Sequence, residues 1–324
     1  MDMSKEKKEL LELPDNEIRK VLKYVSMIQA MERKAELMQT SKGNAYSQLQ
    51  ELIGLTEVKQ AIDRIIALRR LQNIAHMRGR IFEKPAMHME MLGGPGTAKT
   101  TVARLFPQIL KESGICTKGT FVEAGRADLI SDHVGGTAPL VKEICSKAKG
   151  GVLFIDEAYS FVEEGNSYCP EFVSSLIQEM ENNKNDLIVI FAGYPKEMNK
   201  FMDSNPGLRS RVPFTIHFPD YTPEEMLAIA RHMAEKKGFD IASSADAQLL
   251  RNFDIAMKAE NFGNARYVRN QVEQAIMNKA QSVHYRDCLN LSDEELFSLN
   301  ASDFPTEMEV KDTVPAMRRI GFAV

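Results

Sequence analysis

Lys99 and Thr100 lie near the end of the run Gly93-Gly94-Pro95-Gly96-Thr97-Ala98-Lys99-Thr100-Thr101, and further along Asp156 and Glu157 close the apolar run Gly151-Val152-Leu153-Phe154-Ile155. The first run has the G-x-x-x-x-G-K-[ST] spacing of a phosphate loop, with Ala98 in place of the second glycine. The second has the pattern of a buried strand that delivers two carboxylates to its end. Together they predict one site for a nucleoside triphosphate. It would offer a cation and backbone N–H groups to the phosphates, a hydroxyl and a carboxylate to a divalent metal, and a second carboxylate to a water.

A triphosphate is polyanionic, so a helix N-terminus with unpaired N–H groups and a favourable dipole suits it. Gly93, Gly94 and Gly96 are expected to let the backbone curl closely around the phosphates, where a side chain would strike them. Pro95, Thr97 and Thr101 complete the loop and its exit. Lys99 is placed to reach the β- and γ-phosphates, Thr100 to offer its hydroxyl to Mg²⁺, and Asp156 to hold that ion through a water. Glu157 follows as the candidate general base for the attacking water. Ala98 breaks the signature. At φ > 0 an alanine costs about 1–2 kcal/mol; in the first turn of the helix it is harmless or favourable, and the sequence is read in this second way.

The chain has 324 residues, enough to bury a sizeable core in one large or two moderate domains. Its 41 basic and 45 acidic residues give a net charge of −4, so composition makes no case for binding nucleic acid or a membrane surface. Cys116, Cys145, Cys169 and Cys288 lack metal-ligand spacing and read as reduced thiols. No apolar run has the length of a membrane span, and the start MDMSKEKKELLELPDN lacks the apolar core of a secretory signal, so the expected location is cytoplasmic. The 18 methionines read as adaptable packing rather than as ligands.

The elements that must position these residues are legible as alternating patterns. Behind Pro14-Asp15, the residues Ile18, Val21, Leu22, Val25, Ile28, Met31, Ala35 and Met38 recur at helical spacing, predicting an amphipathic N-terminal helix over 15–38. From 48 to about 220, strand candidates at Ala86–Leu92, Thr120–Glu123, Val152–Ile155, Leu187–Ala192 and Phe214–Phe218 alternate with helices, among them 99–112, 138–148 and 170–182. That order predicts a parallel α/β sheet flanked by helices, with the phosphate loop at a strand's carboxyl end. After Pro219-Asp220 the alternation stops. Residues 222–285 read as helical throughout, with Pro223-Glu224-Glu225 opening one helix and Ala265–Ala280 forming another; the tail holds a short helix at Asp293–Leu299.

An α/β phosphate-loop domain followed by a small helical lid resembles the AAA+ ATPases, and the finer motifs resemble their CbbX/SpoVK group. They are Leu52-Ile53-Gly54-Leu55, Gly-Arg-Ala-Asp-Leu at 125–129, Gly-Gly-Thr-Ala-Pro at 135–139 and Val-Leu-Phe-Ile-Asp-Glu-Ala-Tyr at 152–159. Phe-Ala-Gly-Tyr at 191–194, Asn-Pro-Gly-Leu-Arg-Ser-Arg at 205–211 and Gly-Asn-Ala-Arg at 263–266 complete the set. The similarity runs from about 48 to about 285. It implies a division into an N-terminal helical extension (1–45), the α/β core (46–221), the lid (222–285) and a tail (286–324).

The resemblance implies roles as well. Ile53 and Gly54 would lie near the adenine, Arg209 and Arg211 would be candidate arginine fingers for a neighbouring subunit's γ-phosphate, and Arg266, in the lid, would be the second sensor that reports the γ-phosphate to the lid. Where many of these proteins place Asn as first sensor, Ala192-Gly193-Tyr194 stands here, with Tyr194 a weak candidate for orienting the water. His133-Val134-Gly135 would form the pore loop, an imidazole replacing the usual aromatic grip. The implied function is ATP- and Mg²⁺-dependent, chaperone-like remodelling of a protein or peptide by a homo-hexameric ring. A sporulation, secretion-associated or enzyme-repair role stays open. The alternatives are a nucleotide-gated scaffold with weak or no hydrolysis, and a nucleic-acid-directed loader, for which the chain shows no basic patch.

Overall fold

A computed structural model of the protein describes residues 44–81, 85–131, 133, 135–162, 169–259, 262–284 and 291–313. The predicted helix at 15–38 and the candidate pore residue Val134 lie outside them. The chain divides into two compact units, Met1–Ser47 and Gln48–Val324. The sheet, the helices around it and the lid all belong to the second unit.

The strands of the core are β1 (Met89–Gly93), β2 (Phe121–Ala124), β3 (Gly151–Ile155), β4 (Leu187–Gly193) and β5 (Phe214–Phe218). They form one parallel sheet in the order β2-β3-β4-β1-β5. Every residue of β3 and β4 is buried, which is why both read as unbroken apolar runs. At the edge, β5 alternates: Ile216 and Phe218 point inward while Thr215 and His217 face out. β1 starts three residues later than its apolar run suggests. The N–H of Val189 on β4 donates to Nδ1 of His88 at 3.0 Å, so a side chain takes the ladder position that a longer β1 would fill.

Helices pack against the sheet: α1 (Thr56–Met77), α2 (Lys99–Glu112), α3 (Thr137–Ala148), α4 (Cys169–Asn182), α5 (Pro195–Asp203) and α6 (Pro206–Arg211). On one face, Phe161 and Phe172 stack at 4.2 Å and Phe191 meets Phe201 at 5.3 Å, within a core that also buries Leu153, Ile155 and Val189. Cys116 and Cys145 are buried free thiols, and burial pushes both up to about 12.

The lid opens at Thr222, whose hydroxyl accepts the N–H of Glu225 at 3.2 Å while that carboxylate accepts the N–H of Thr222 at 2.9 Å, with Pro223 at the first helical position. It comprises α7 (Pro223–Glu235), β6 (Asp240–Ile241), α8 (Asp246–Ala256) and α9 (Ala265–Val283), then α10 (Asp293–Phe297), β7 (Ser298–Leu299) and α11 (Glu307–Thr313). Two sequence expectations change here. Residues 222–285 are not helical throughout, because β6 pairs in parallel with β7. Residues 291–313 are not a tail outside the lid. Lys279 meets Asp303 at 3.5 Å in a buried ion pair, and Nδ2 of Asn252 donates to the Pro305 carbonyl at 2.7 Å, so this segment completes the lid core. No described helix is long and apolar enough to cross a membrane.

Candidate nucleotide site

The phosphate loop leaves the carboxyl end of β1, where Leu92 is in register with Gly193 of β4 and Gly93 with Phe218 of β5. The carboxyl ends of β3 and β4 bring Asp156 and Tyr194 to the same edge of the sheet. Ala98 is the cap of α2 rather than part of its first turn, at φ 69° and ψ 18°. This overturns the harmless reading. Gly96, at φ 70°, is left-handed too; the loop needs both residues so, because alternating left-handed positions turn successive N–H groups toward one concavity that suits an anion. Alanine in that conformation carries a strain of about 1–2 kcal/mol.

The glycines also answer to the protein behind the loop. A Cβ on Gly93 would run into the carbonyl oxygen of Phe218, and one on Gly96 into that of Gly263. This crowding comes from β5 and the lid behind the loop.

Lys99 Nζ donates to the carbonyls of Gly93 at 2.8 Å and Gly94 at 2.7 Å, and lies 5.7 Å above the Tyr194 ring. Burial holds its pKa below the usual lysine value, partly opposed by the Asp156 carboxylate. Thr100 Oγ1 donates to Oδ2 of Asp156 at 3.4 Å. The N–H of Glu157 donates to Oδ1 of Asp156 at 3.0 Å, and Glu157 adopts φ 49°, which turns the chain sharply after β3. Tyr159 stacks on Tyr194 at 5.8 Å; burial first, then Glu157, pushes its phenol up to about 12.

These groups line a cavity of about 370 Å³, closed on the lid side by Met233 of α7 and by Arg266 and Arg269 of α9. Pro95, Gly96, Thr97, Ala98, Lys99, Thr100, Thr101, Asp156, Glu157 and Arg266, each expected at the site, meet there. Tyr194 lines it as well, and the other expected residues stand elsewhere. Gly93 and Gly94 back the loop. Gly54, at φ 65°, packs on the Glu225 carboxylate at the start of the lid, with Ile53 half-buried beside it. Arg209 is paired with Asp203 at 2.7 Å and Arg211 with Glu181 at 3.1 Å, both outside the cavity. His133 and Gly135 are exposed on the loop before α3. Arg269, Tyr159 and Met233 were not anticipated. For Arg269 a signal existed: it lies three residues beyond Arg266 on one helix, hence on the same face.

Among the described residues no cluster of three or more His, Cys, Asp or Glu could hold a metal ion alone. Thr100 and Asp156 form the sparse oxygen set that a magnesium ion completes with waters and substrate phosphates, so the residues present fit such an ion.

Residues 89–220 match the ATPase family associated with various cellular activities (AAA), and residues 222–313 match the AAA lid domain. A CfxQ homolog of Pyropia yezoensis is 42% identical over 78% of this chain and 85% of its own length. The chain belongs to the AAA ATPases. Within them it is of the CbbX/CfxQ type: CbbX of Cereibacter sphaeroides is 37% identical over 85% of this chain and 89% of its own. A chloroplastic ribulose bisphosphate carboxylase/oxygenase activase of Cyanidioschyzon merolae is 40% identical over 78% and 87%. The crystal structure of the FIGL-1 AAA domain in complex with ADP aligns over 82% of this chain and 83% of that one with a TM-score of 0.57 and 19% identity, which shows the shared fold. This AAA ATPase is therefore an ATP hydrolase, and its family binds ATP with a divalent metal. Its lid match reaches residue 313, in line with the packing of β7 and α11. These relatives are of the CbbX/CfxQ type and none bears a sporulation name, so the expected sporulation role finds no support.

Proposed function

We propose that this AAA ATPase remodels a protein substrate as a homo-hexameric ring in the cytoplasm, with ATP held between neighbouring subunits. One observation carries the reading. The phosphate loop, Asp156, Glu157 and Arg266 converge on a single cavity, while Arg209 and Arg211 are tied to acidic residues of their own chain away from it. A site so divided needs a neighbour to be completed.

In this reading Lys99 leaves the Gly93 and Gly94 carbonyls for the β- and γ-phosphate oxygens, which are stronger acceptors. Glu157 takes the proton of the water that attacks the γ-phosphorus, a role worth about 10²–10⁴ in rate. Thr100 and Asp156 are the residues that would hold Mg²⁺. When bound, that ion neutralises charge on the β- and γ-phosphates. Arg266 adds a cation from the lid, and Arg209 or Arg211 another from the neighbour.

The substrate class rests on the relatives. The activase of Cyanidioschyzon merolae is named for ribulose bisphosphate carboxylase/oxygenase, and we extend to this chain a polypeptide substrate gripped by the exposed loop bearing His133. A smaller, wetter imidazole makes a weaker grip than a full aromatic, so substrate-stimulated turnover is expected to change in His133→Tyr.

A second reading, the nucleotide-gated scaffold, is favoured by the strain at Ala98. ATP turnover per subunit, measured over a wide range of protein concentration with Glu157→Gln as blank, separates the two. A rate that rises with concentration and vanishes in the blank supports the divided site. Tight ATP binding without turnover at any concentration supports the scaffold.

A further inference from the structure

Asn264 is wholly buried and adopts φ 47° and ψ −126°, a backbone conformation that residues with a side chain rarely hold. Such strain persists only where the surroundings over-determine it. Here they do so through the side-chain amide. Oδ1 accepts the N–H of Tyr221 at 3.0 Å. Nδ2 donates to Oδ1 of Asp220 at 2.7 Å, to the carbonyl of Pro95 at 3.2 Å and to that of Phe262 at 3.3 Å. An oxygen facing one donor and a nitrogen facing three acceptors leave the amide a single orientation.

These partners belong to different parts of the molecule. Pro95 is in the phosphate loop, Asp220 and Tyr221 form the connector between sheet and lid, and Asn264 itself precedes α9. The next residue repeats the link, since the N–H of Ala265 donates to the carbonyl of Gly96 at 3.2 Å. Immediately beyond come Arg266 and Arg269, which face the cavity.

We propose that Asn264 is a positioning residue that ties the phosphate loop to the lid, so that the loop and the first turn of α9 move as one body. A loop displaced by incoming phosphates then carries Arg266 and Arg269 with it. The lid responds to nucleotide through the loop as well as through its own arginines. The last part of this rests on the nucleotide reading of the cavity; the tie itself does not.

Three variants separate donation from packing. N264G keeps the backbone conformation without strain and removes the amide. N264D keeps the shape but turns the donor into an acceptor facing the oxygens of Asp220, Pro95 and Phe262. D220N combined with N264D returns a donor to that pair. If Asn264 served only to fill space, N264D would outperform N264G. The tie requires the reverse order, with partial recovery in the double variant.

The first readout is hydrogen exchange of the nucleotide-free protein. N264G should speed exchange at Tyr221 and Ala265 by about tenfold or more while leaving α8 unchanged. Unaltered exchange at both amides overturns the proposal. The second is ATP-induced protection. In the parent, residues 93–101 and 265–283 should be protected together; in N264G the loop should respond as before while the lid, reached only through Arg266 and Arg269, is protected less, by about threefold or more, and KM for ATP should rise about tenfold with little change in kcat. Lid protection in N264G equal to that of the parent, or N264D behaving as the parent, overturns it. A parent protein that binds no ATP would sink the reading of the cavity, while the nucleotide-free exchange would still decide the tie.

Discussion

Nε of Arg211 lies 3.1 Å from Oε2 of Glu181, and the residue before that glutamate, Met180, presents its carbonyl oxygen 3.4 Å from Nε2 of the buried His88. A candidate finger is thus fastened to the same helix end as an interior histidine. Arg209 is fastened separately, to Asp203. Both pairs are largely solvent-exposed, and such pairs contribute on the order of 0–1 kcal/mol. In the proposed ring, displacing either acidic partner in favour of a neighbour's phosphate would therefore cost little.

Arg209→Ala and Arg211→Ala should each leave ATP affinity within about threefold of the parent, since neither lines its own cavity. The variant that removes the finger should lower steady-state turnover by about 10³-fold or more. Full turnover in both would show that neither acts in this way.

Glu157→Gln should bind ATP as the parent does and lose turnover by about 10²-fold or more. Lys99→Ala should abolish binding, because the loop would lose its cation. Calorimetric titration with ATP and a phosphate-release assay read the two effects separately. Undiminished hydrolysis in Glu157→Gln would remove that residue from the chemistry.

Ala98→Gly should stabilise the protein. Relief of about 1–2 kcal/mol of left-handed strain is set against about 0.5–1 kcal/mol of added chain entropy, for a net gain of about 0–1.5 kcal/mol. Urea unfolding with an unchanged m value would register it. A midpoint below that of the parent would show that the strain is not there to relieve.

Arg269→Ala should raise KM for ATP about tenfold, the loss expected for one charge-assisted hydrogen bond. Arg269→Lys should recover part of that loss. A KM equal to that of the parent in Arg269→Ala would place this side chain at the cavity wall without contact to nucleotide.

His88 makes stability depend on mild acid. Burial, aided by Arg211 and opposed by the Met180 carbonyl and Glu181, lowers it from 6.5 to about 4. The folded protein therefore keeps the ring neutral where the unfolded chain would protonate it. Stability is intact above about pH 6.5, falls as pH drops toward 4 and levels off below. At about 1.36 kcal/mol per pKa unit the loss approaches about 3 kcal/mol. His88→Asn should be less stable at pH 7 but show a shallower decline between pH 6.5 and 4. An equal slope in both proteins would assign the acid sensitivity to other groups.

Much of the core was legible because its signals are local. Phe214–Phe218 alternates and Leu187–Gly193 is uniformly apolar, so both strands stand out. Thr222-Pro223 with Glu225 announces a helix start by itself. What escaped depends on partners distant in sequence. Ala98 carries no local sign of its left-handed conformation, which an alanine rarely adopts, and Gly96 and Gly93 meet their crowding partners Gly263 and Phe218 only in the folded chain. Asn264 sits inside a motif visible in the sequence, yet its contact with Pro95 spans 169 residues. Ser298-Leu299 ends a stretch with helical spacing and becomes a strand because β6 offers an open edge. The cavity residues supplied by the phosphate loop and by β3 were predictable from spacing. Arg269 needed only the helical phase of α9 to be followed one turn further.

β7 is supplied by a segment far along the chain, and Asp303 and Pro305 lock that segment to Lys279 and Asn252. A chain made from its N-terminal end, at about 5–20 residues per second, finishes the sheet and phosphate loop before residues 298–313 have been added. The segment that braces α8 and α9 is therefore among the last parts of this unit to be built. A nascent or prematurely terminated chain presents the phosphate loop before the lid core that carries Arg266 and Arg269 is complete.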